Sequence, residues 1–337
     1  MNKVVATNRI FPETRDLLSR QAQVISSPSE TPLDRQQTLA AARDADGLMV
    51  FMPDLIDAEF LAACPQLRVI GAALKGYDNI DIEAATQAGI WVTIVPDLLT
   101  APTAELAIGL MLALGRQLVT ADQTMRTEHF EGWRPRFYGA GLAGTVVGLI
   151  GFGAVGQAIA ARLQGFDCKV LAYDPALSSA SASSSLVSSS IAHSAPLDNL
   201  LQQSDWLVLA LPLTPATYHL IDAQALAQMK PGSRLINPAR GSLVDEEAVA
   251  DALESGHLAG YAADVFACED WARADRPLTI PPRLIALGSQ TVLTPHLGSA
   301  VVEARRAIEQ AAAESILAVL ANQDPPRAVN RPMVRRR

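Results

Sequence analysis

The sequence predicts an α/β protein made of two doubly wound parallel-sheet domains. Short apolar runs rich in β-branched residues alternate with helical patterns along the chain, and the alternation starts afresh past its first third. With 337 residues, 49% hydrophobic and 18% charged, there is enough apolar material for two cores. KVVAT, AQVIS, GLMVF, LRVIGAAL and GIWVTIV supply the strands of the first domain, residues 1–98. The segment from Thr103 to Gln117, TAELAIGLMLALGRQ, is helix-forming and apolar nearly all round, which predicts a buried helix between domains and a boundary near Leu99. TVVGLIG, KVLAYD, WLVLAL, SRLIN, GYAADVF and TVLTPH are the strands of a second domain, 99–300. A last helix, roughly Val301 to Ala321, is expected to pack back on the first domain and complete it with residues 301–337. Two segments read as solvated: the tail RPMVRRR and the serine-rich run 178–190.

A net charge of −8 argues against a nucleic-acid or membrane-surface partner, so an anionic substrate must be held by local cations. No run of about 18 apolar residues is present and the first residues, MNKVVATNRI, lack a signal-peptide core, so a cytoplasmic protein is expected. Cys64, Cys168 and Cys268 are too few and too widely spaced for a disulfide framework or a zinc site. No metal is expected.

Gly151, Phe152, Gly153, Ala154, Val155 and Gly156 follow the strand VVGLI and open the helical pattern QAIAARLQG. A lone G-x-G-x-x-G is weak evidence, but this one sits between strand and helix, as a Rossmann-like phosphate-binding turn requires. The first glycine allows the turn, the second admits the pyrophosphate and the third lets helix pack on strand. Asp174, at the end of the next strand, stands where a carboxylate binds the ribose hydroxyls and repels a 2′-phosphate, so NAD is the expected cofactor.

Three further residues fall at ends of expected strands, where doubly wound sheets place ligands: Arg240 after SRLINPA, Glu269 after GYAADVF and His296 after TVLTP. A guanidinium binds an oxyanion bidentately, and an imidazole exchanges protons near neutrality. A carboxylate beside that imidazole fixes its tautomer and stabilises its charged form. Each residue alone has a dull reading as surface or structural; together they describe an anion clamp and an acid–base dyad.

GLIGFGAVG, MKPGSRLINPARGSLVDEEAV, GYAADVF and LTPHLGSA, in that order, resemble the D-isomer-specific 2-hydroxyacid dehydrogenase family. The resemblance covers nearly the whole chain. It implies a homodimer, a substrate domain completed by the C-terminus, and hydride transfer to nicotinamide in an interdomain cleft, with Arg240, Glu269 and His296 as catalytic residues. It also adds Thr103, Pro212, Asp264 and His296 to the coenzyme contacts.

Within that family, FMPD, ALKGYDNID, VPDLLTAPTAELAIGL, GWRPRFYG and EDWARADRP resemble the phosphite-oxidising branch. This implies a small inorganic anion, phosphite, as substrate, held by Lys75, Gly76 and Arg240, lined by Met52 and Pro53, with Trp133, Tyr138 and Arg305 contributing. The chemistry agrees, since phosphite carries between one and two charges and has no carbon skeleton to bury. Ala267 departs from the pattern where an acidic residue is expected. The alternatives are a conventional D-2-hydroxyacid dehydrogenase or glyoxylate–hydroxypyruvate reductase, and, from another class, an NAD-sensing binding protein without turnover.

Overall fold

The structure is a computed structural model that describes residues 1–178, 191–332 and 336. Of the serine-rich run 178–190, all but Ser178 lies outside the described residues. Strand and helix alternate from the start: β1 (Asn2–Ala6), α1 (Pro12–Ser19), β2 (Ala22–Ser26), α2 (Arg35–Ala42), β3 (Gly47–Val50), α3 (Ala58–Ala63), β4 (Val69–Ala72), α4 (Ile82–Gln87) and β5 (Trp91–Thr93). The five strands form one parallel sheet in the order β2-β1-β3-β4-β5. Every residue of β3, β4 and β5 is buried, as expected of strands covered on both faces. Asp34, Asp57 and Asp81 start α2, α3 and α4 by accepting a backbone N–H of the first turn.

The second series runs α5 (Thr100–Gly115), α6 (Leu118–Thr127), β6 (Val146–Ile150), α7 (Ala154–Leu163), β7 (Lys169–Tyr173), α8 (Pro175–Ser178), β8 (His193–Ser194), α9 (Leu197–Gln203), β9 (Trp206–Leu209), α10 (Ala223–Gln228), β10 (Ser233–Asn237), α11 (Glu246–Glu254), β11 (Leu258–Ala263), α12 (Pro282–Ala286) and β12 (Thr291–Leu293). Its seven strands are parallel and ordered β12-β11-β10-β9-β6-β7-β8, so the winding reverses between β6 and β9. The helix expected from Thr103 begins three residues earlier and ends at Gly115, before Gln117 takes a left-handed φ of 51°. A Cβ on Gly115 would lie 2.7 Å from the Ala140 carbonyl oxygen and from the Trp206 ring. No single helix among the described residues is long and apolar enough to cross a membrane.

The last helix, α13 (Val302–Leu320), belongs with the first sheet. Its Ile316 sits so close that a Cβ on Gly47 or Gly71 would come within 2.9 or 2.7 Å of it. By internal contacts, unit 1 is Met1–Leu99, Asp270–Asp275 and Ser299–Arg337, and unit 2 is Thr100–Glu269 and Arg276–Gly298. Residues 270–275, read from sequence inside the second domain, therefore cluster with the first. The tail corrects a second expectation. Pro332 is buried, and the Arg336 guanidinium donates to the carbonyls of Cys64 at 2.8 Å and Leu67 at 3.3 Å, in the connection between α3 and β4.

Candidate functional site

In unit 2 the chemistry-bearing residues gather at the carboxyl ends of β6, β7, β10, β11 and β12. Gly151 follows β6 with φ +93°, a conformation that disfavours other residues, and a Cβ there would strike the Ala210 carbonyl oxygen at 2.4 Å. Gly156 lies in the first turn of α7 with its Cβ position 2.3 Å from the Gly151 oxygen, so helix and turn pack in contact. Gly153, the N-cap of α7, faces open space. Ala154 and Val155 open the helix, and their N–H groups precede any intrahelical acceptor. The turn lies at the reversal point between β6 and β9, beside Pro212, whose carbonyl accepts the Thr217 hydroxyl at 2.8 Å. This cradle fits a dinucleotide's pyrophosphate. Asp174 follows β7 and accepts from Phe152 N at 2.8 Å and Ala176 N at 2.9 Å, so it shapes the turn.

At the end of β10, buried Asn237 accepts from Ala239 N at 3.1 Å and donates to the Arg240 carbonyl at 2.9 Å. This fixes the turn that presents Arg240, whose guanidinium also donates to the Ala239 carbonyl at 2.8 Å. A Cβ on the next residue, Gly241, would fall 1.9 Å from the Phe266 carbonyl carbon. Only glycine lets the Arg240 turn lie against the Phe266–Glu269 segment. That segment is pinned in turn by Glu246, a buried carboxylate that accepts Ala267 N at 2.8 Å. The acidic residue expected at position 267 is thus absent from that position, but an acid reaches the same backbone from α11.

Glu269 accepts Phe266 N at 2.9 Å through one oxygen and holds His296 Nδ1 at 2.8 Å through the other. His296 has φ +56°, a left-handed conformation that a non-glycine residue holds only under constraint. The constraint is Asp264. Its carboxylate accepts the Thr294 hydroxyl at 2.6 Å, Leu297 N at 2.7 Å and Gly298 N at 2.8 Å, while its carbonyl accepts His296 N at 2.8 Å. Burial raises the Asp264 carboxyl above its usual range, opposed by those donors and by the His296 charge. Thr103 adds a bond to the Gly298 carbonyl at 3.2 Å. Asp264 and Thr103, which the resemblance gives to the coenzyme, therefore also buckle the His296 loop. Trp133 and Tyr138 lie far from full burial, at 77% and 73% exposed.

In unit 1, Met52, Pro53, Lys75 and Gly76 lie beyond the carboxyl ends of β3 and β4. Lys75 is half-buried, and desolvation pushes its ammonium below the usual lysine range against the opposing charge of Asp97. Arg305, on α13, donates to the Ala73 carbonyl at 3.2 Å and stacks its guanidinium over Phe51, 5.5 Å from the ring centre. Burial lowers its pKa, with Glu309 opposing. Among the described residues no cluster of His, Cys, Asp or Glu is arranged to hold a metal ion.

Of the residues expected from sequence, the structure brings Glu269 and His296 into contact and sets Arg240 on the turn after β10. Sequence reasoning missed Asn237, Gly241 and Glu246. NPARG and VDEE were the available signal, a buried amide and a glycine flanking the arginine and an acid after it.

Residues 108–298 match the model of the D-isomer specific 2-hydroxyacid dehydrogenase NAD-binding domain. The glyoxylate reductase of Thermococcus onnurineus is 37% identical over 98% of this chain and 96% of its own. The TT0316 protein of Thermus thermophilus superposes with a TM-score of 0.86 at 34% identity, covering 97% of this chain and all of that one. A Sinorhizobium meliloti NADPH-dependent glyoxylate/hydroxypyruvate reductase, solved with NADP and malonate, gives 0.83 at 28% identity, covering all of this chain and 99% of that one.

Proposed function

This chain belongs to the D-isomer specific 2-hydroxyacid dehydrogenase family as an NAD-dependent oxidoreductase, and from that premise we propose that it oxidises phosphite to phosphate. The reaction is phosphite + NAD⁺ + H₂O → phosphate + NADH + H⁺. The bound nicotinamide would supply the hydride acceptor. Arg240 and Lys75 hold the anion's oxygens, and His296, oriented by Glu269 at 2.8 Å, takes a proton from the attacking water at Nε2. Gly151, Gly153, Ala154, Val155 and Gly156 would hold the pyrophosphate and Asp174 the ribose, which favours NAD over NADP.

What supports the choice of phosphite is Lys75, a half-buried cation two residues past Ala73, whose carbonyl accepts the Arg305 guanidinium. A dianion without a carbon skeleton gains from such charge, whereas a 2-hydroxy acid presents one carboxylate and an apolar remainder. The names of the relatives favour a second reading, reduction of glyoxylate or hydroxypyruvate, which the same dyad serves by protonating a carbonyl oxygen. Exposed Leu118, Met125, Phe130 and Trp133 on and beyond α6 support a homodimer.

NADH absorbance followed with phosphite, D-lactate, D-glycerate, glyoxylate and hydroxypyruvate decides between the readings. Phosphite turnover is expected. Lys75→Ala should raise its KM about 30-fold, the equivalent of about 2 kcal/mol for a charge-assisted hydrogen bond, and Lys75→Arg should recover part. Turnover of an organic acid alone, indifferent to Lys75, overturns phosphite and leaves the family assignment standing.

A further inference from the structure

The turn Phe51–Asp54, which carries Met52 and Pro53, is fastened from beneath by three buried polar side chains that the reaction itself does not use. Asp54 is 8% exposed, and its carboxylate accepts Phe51 N at 2.7 Å and the Thr7 hydroxyl at 2.5 Å. The backbone closes the same turn, Asp54 N donating to the Phe51 carbonyl at 3.2 Å. Asn79 is 2% exposed, and its amide nitrogen reaches the carbonyls of Asp54 at 2.6 Å, Phe51 at 3.3 Å and Met52 at 3.5 Å. Thr7, fully buried at the end of β1, is itself fixed by a bond from its N to the Met49 carbonyl at 3.1 Å.

Three features separate this cluster from ordinary turn chemistry. The donors to the Asp54 carboxylate are neutral, so a buried carboxylate is retained without a cation, an arrangement that costs stability. Asn79 follows the Lys75–Tyr77 loop, so the loop bearing Lys75 and the turn bearing Met52 are joined through one amide. Phe51, the turn's first residue, carries the Arg305 guanidinium on its ring.

We infer that Thr7, Asp54 and Asn79 are positioning residues that hold the Phe51–Asp54 turn against the Lys75 loop and so set the affinity of the enzyme for its anionic substrate. The inference rests on the assignment of Met52, Pro53 and Lys75 to substrate binding, but not on which anion is bound. The clamp touches neither dyad nor coenzyme turn, so breaking it should move KM for the anion and leave NADH binding in place.

The test uses Thr7→Val, which removes the hydroxyl isosterically, Thr7→Ser, which restores it, and Asn79→Ala, all assayed with whichever anion the wild-type enzyme turns over. Thr7→Val and Asn79→Ala should raise KM for the anion about tenfold with kcat within twofold and the NADH dissociation constant unchanged. Thr7→Ser should return KM to within about twofold of wild type. The opposite pattern overturns the clamp: thermal stability lost by Thr7→Val and Asn79→Ala while KM stays at the wild-type value. Should Asn79→Ala not fold, the Thr7→Val and Thr7→Ser pair distinguishes the two outcomes by itself. Failure of the phosphite assignment is read separately, from the wild-type substrate panel, and leaves this comparison of variants intact.

Discussion

The two units fix their site residues by different means. In unit 2, each candidate site residue is held by polar side chains a few residues away in sequence or on the adjoining strand, as Asp264 holds the loop of His296 and Asn237 the turn of Arg240. In unit 1, the turn bearing Met52 and Pro53 is held by Thr7 and Asn79, far apart in sequence and joined only by the sheet order β1-β3-β4. The first device fixes the Glu269–His296 contact through the local backbone. The second gives a turn whose position depends on the packing of a whole sheet.

The sharpest way to break the unit 2 device is to remove its reactive groups. His296→Ala and Arg240→Ala should each lower kcat/KM by about 10³-fold, in the range of a lost acid–base or oxyanion contact, with the NADH dissociation constant of Arg240→Ala within twofold of wild type. Single-turnover kinetics and NADH fluorescence titration separate the two quantities. Activity within tenfold of wild type for either variant would remove that residue from the chemistry.

That contrast also explains how much could be read from the sequence. Strand order aside, the second unit was legible because G-x-G-x-x-G, ARG, an acid after GYAADVF and TPH each bring residue type and secondary-structure context together. The left-handed backbone of His296 was not legible, since proline, histidine and leucine in a row carry no turn signature and the constraint comes from Asp264 across the strand β11. Thr7, Asp54 and Asn79 have no motif at all: a threonine after a strand, an aspartate after a proline and an asparagine in a loop are ordinary turn residues until the sheet brings them together. The docking of the tail residue Arg336 escaped for the same reason, because its acceptors at Cys64 and Leu67 are remote in sequence.

A smaller change sharpens the claim that Asp264 acts through the His296 loop. Asp264→Asn keeps the volume but leaves one acceptor oxygen where three donors converge, and turns an amide N–H₂ toward a donor. The loop should relax from φ +56°, and the Glu269–His296 contact with it. The expected loss in kcat is about tenfold, with the variant still folded. If kcat is unchanged while NADH binds more weakly, Asp264 serves the coenzyme and not the loop.

The smallest effect tests the electrostatic cost of the unit 1 device. Burial raises the Asp54 carboxyl to about 6, with the Thr7 hydroxyl and Phe51 N–H pulling the other way. Because the folded value lies above the ordinary carboxylate value, the native state holds the extra proton between the two, and stability falls as pH rises through that window. The contribution is greatest below about 4 and lost by the time pH passes the folded value near 6. Asp54→Asn removes this titration while other carboxylates titrate alike in both proteins. The stability of wild type relative to the variant, from urea unfolding, should therefore rise by about 1 kcal/mol on lowering the pH from about 7 to about 5. A difference that does not change with pH would mean that Asp54 is not a buried, uncompensated carboxylate, and the turn it holds would then owe its position to Asn79 and the sheet alone.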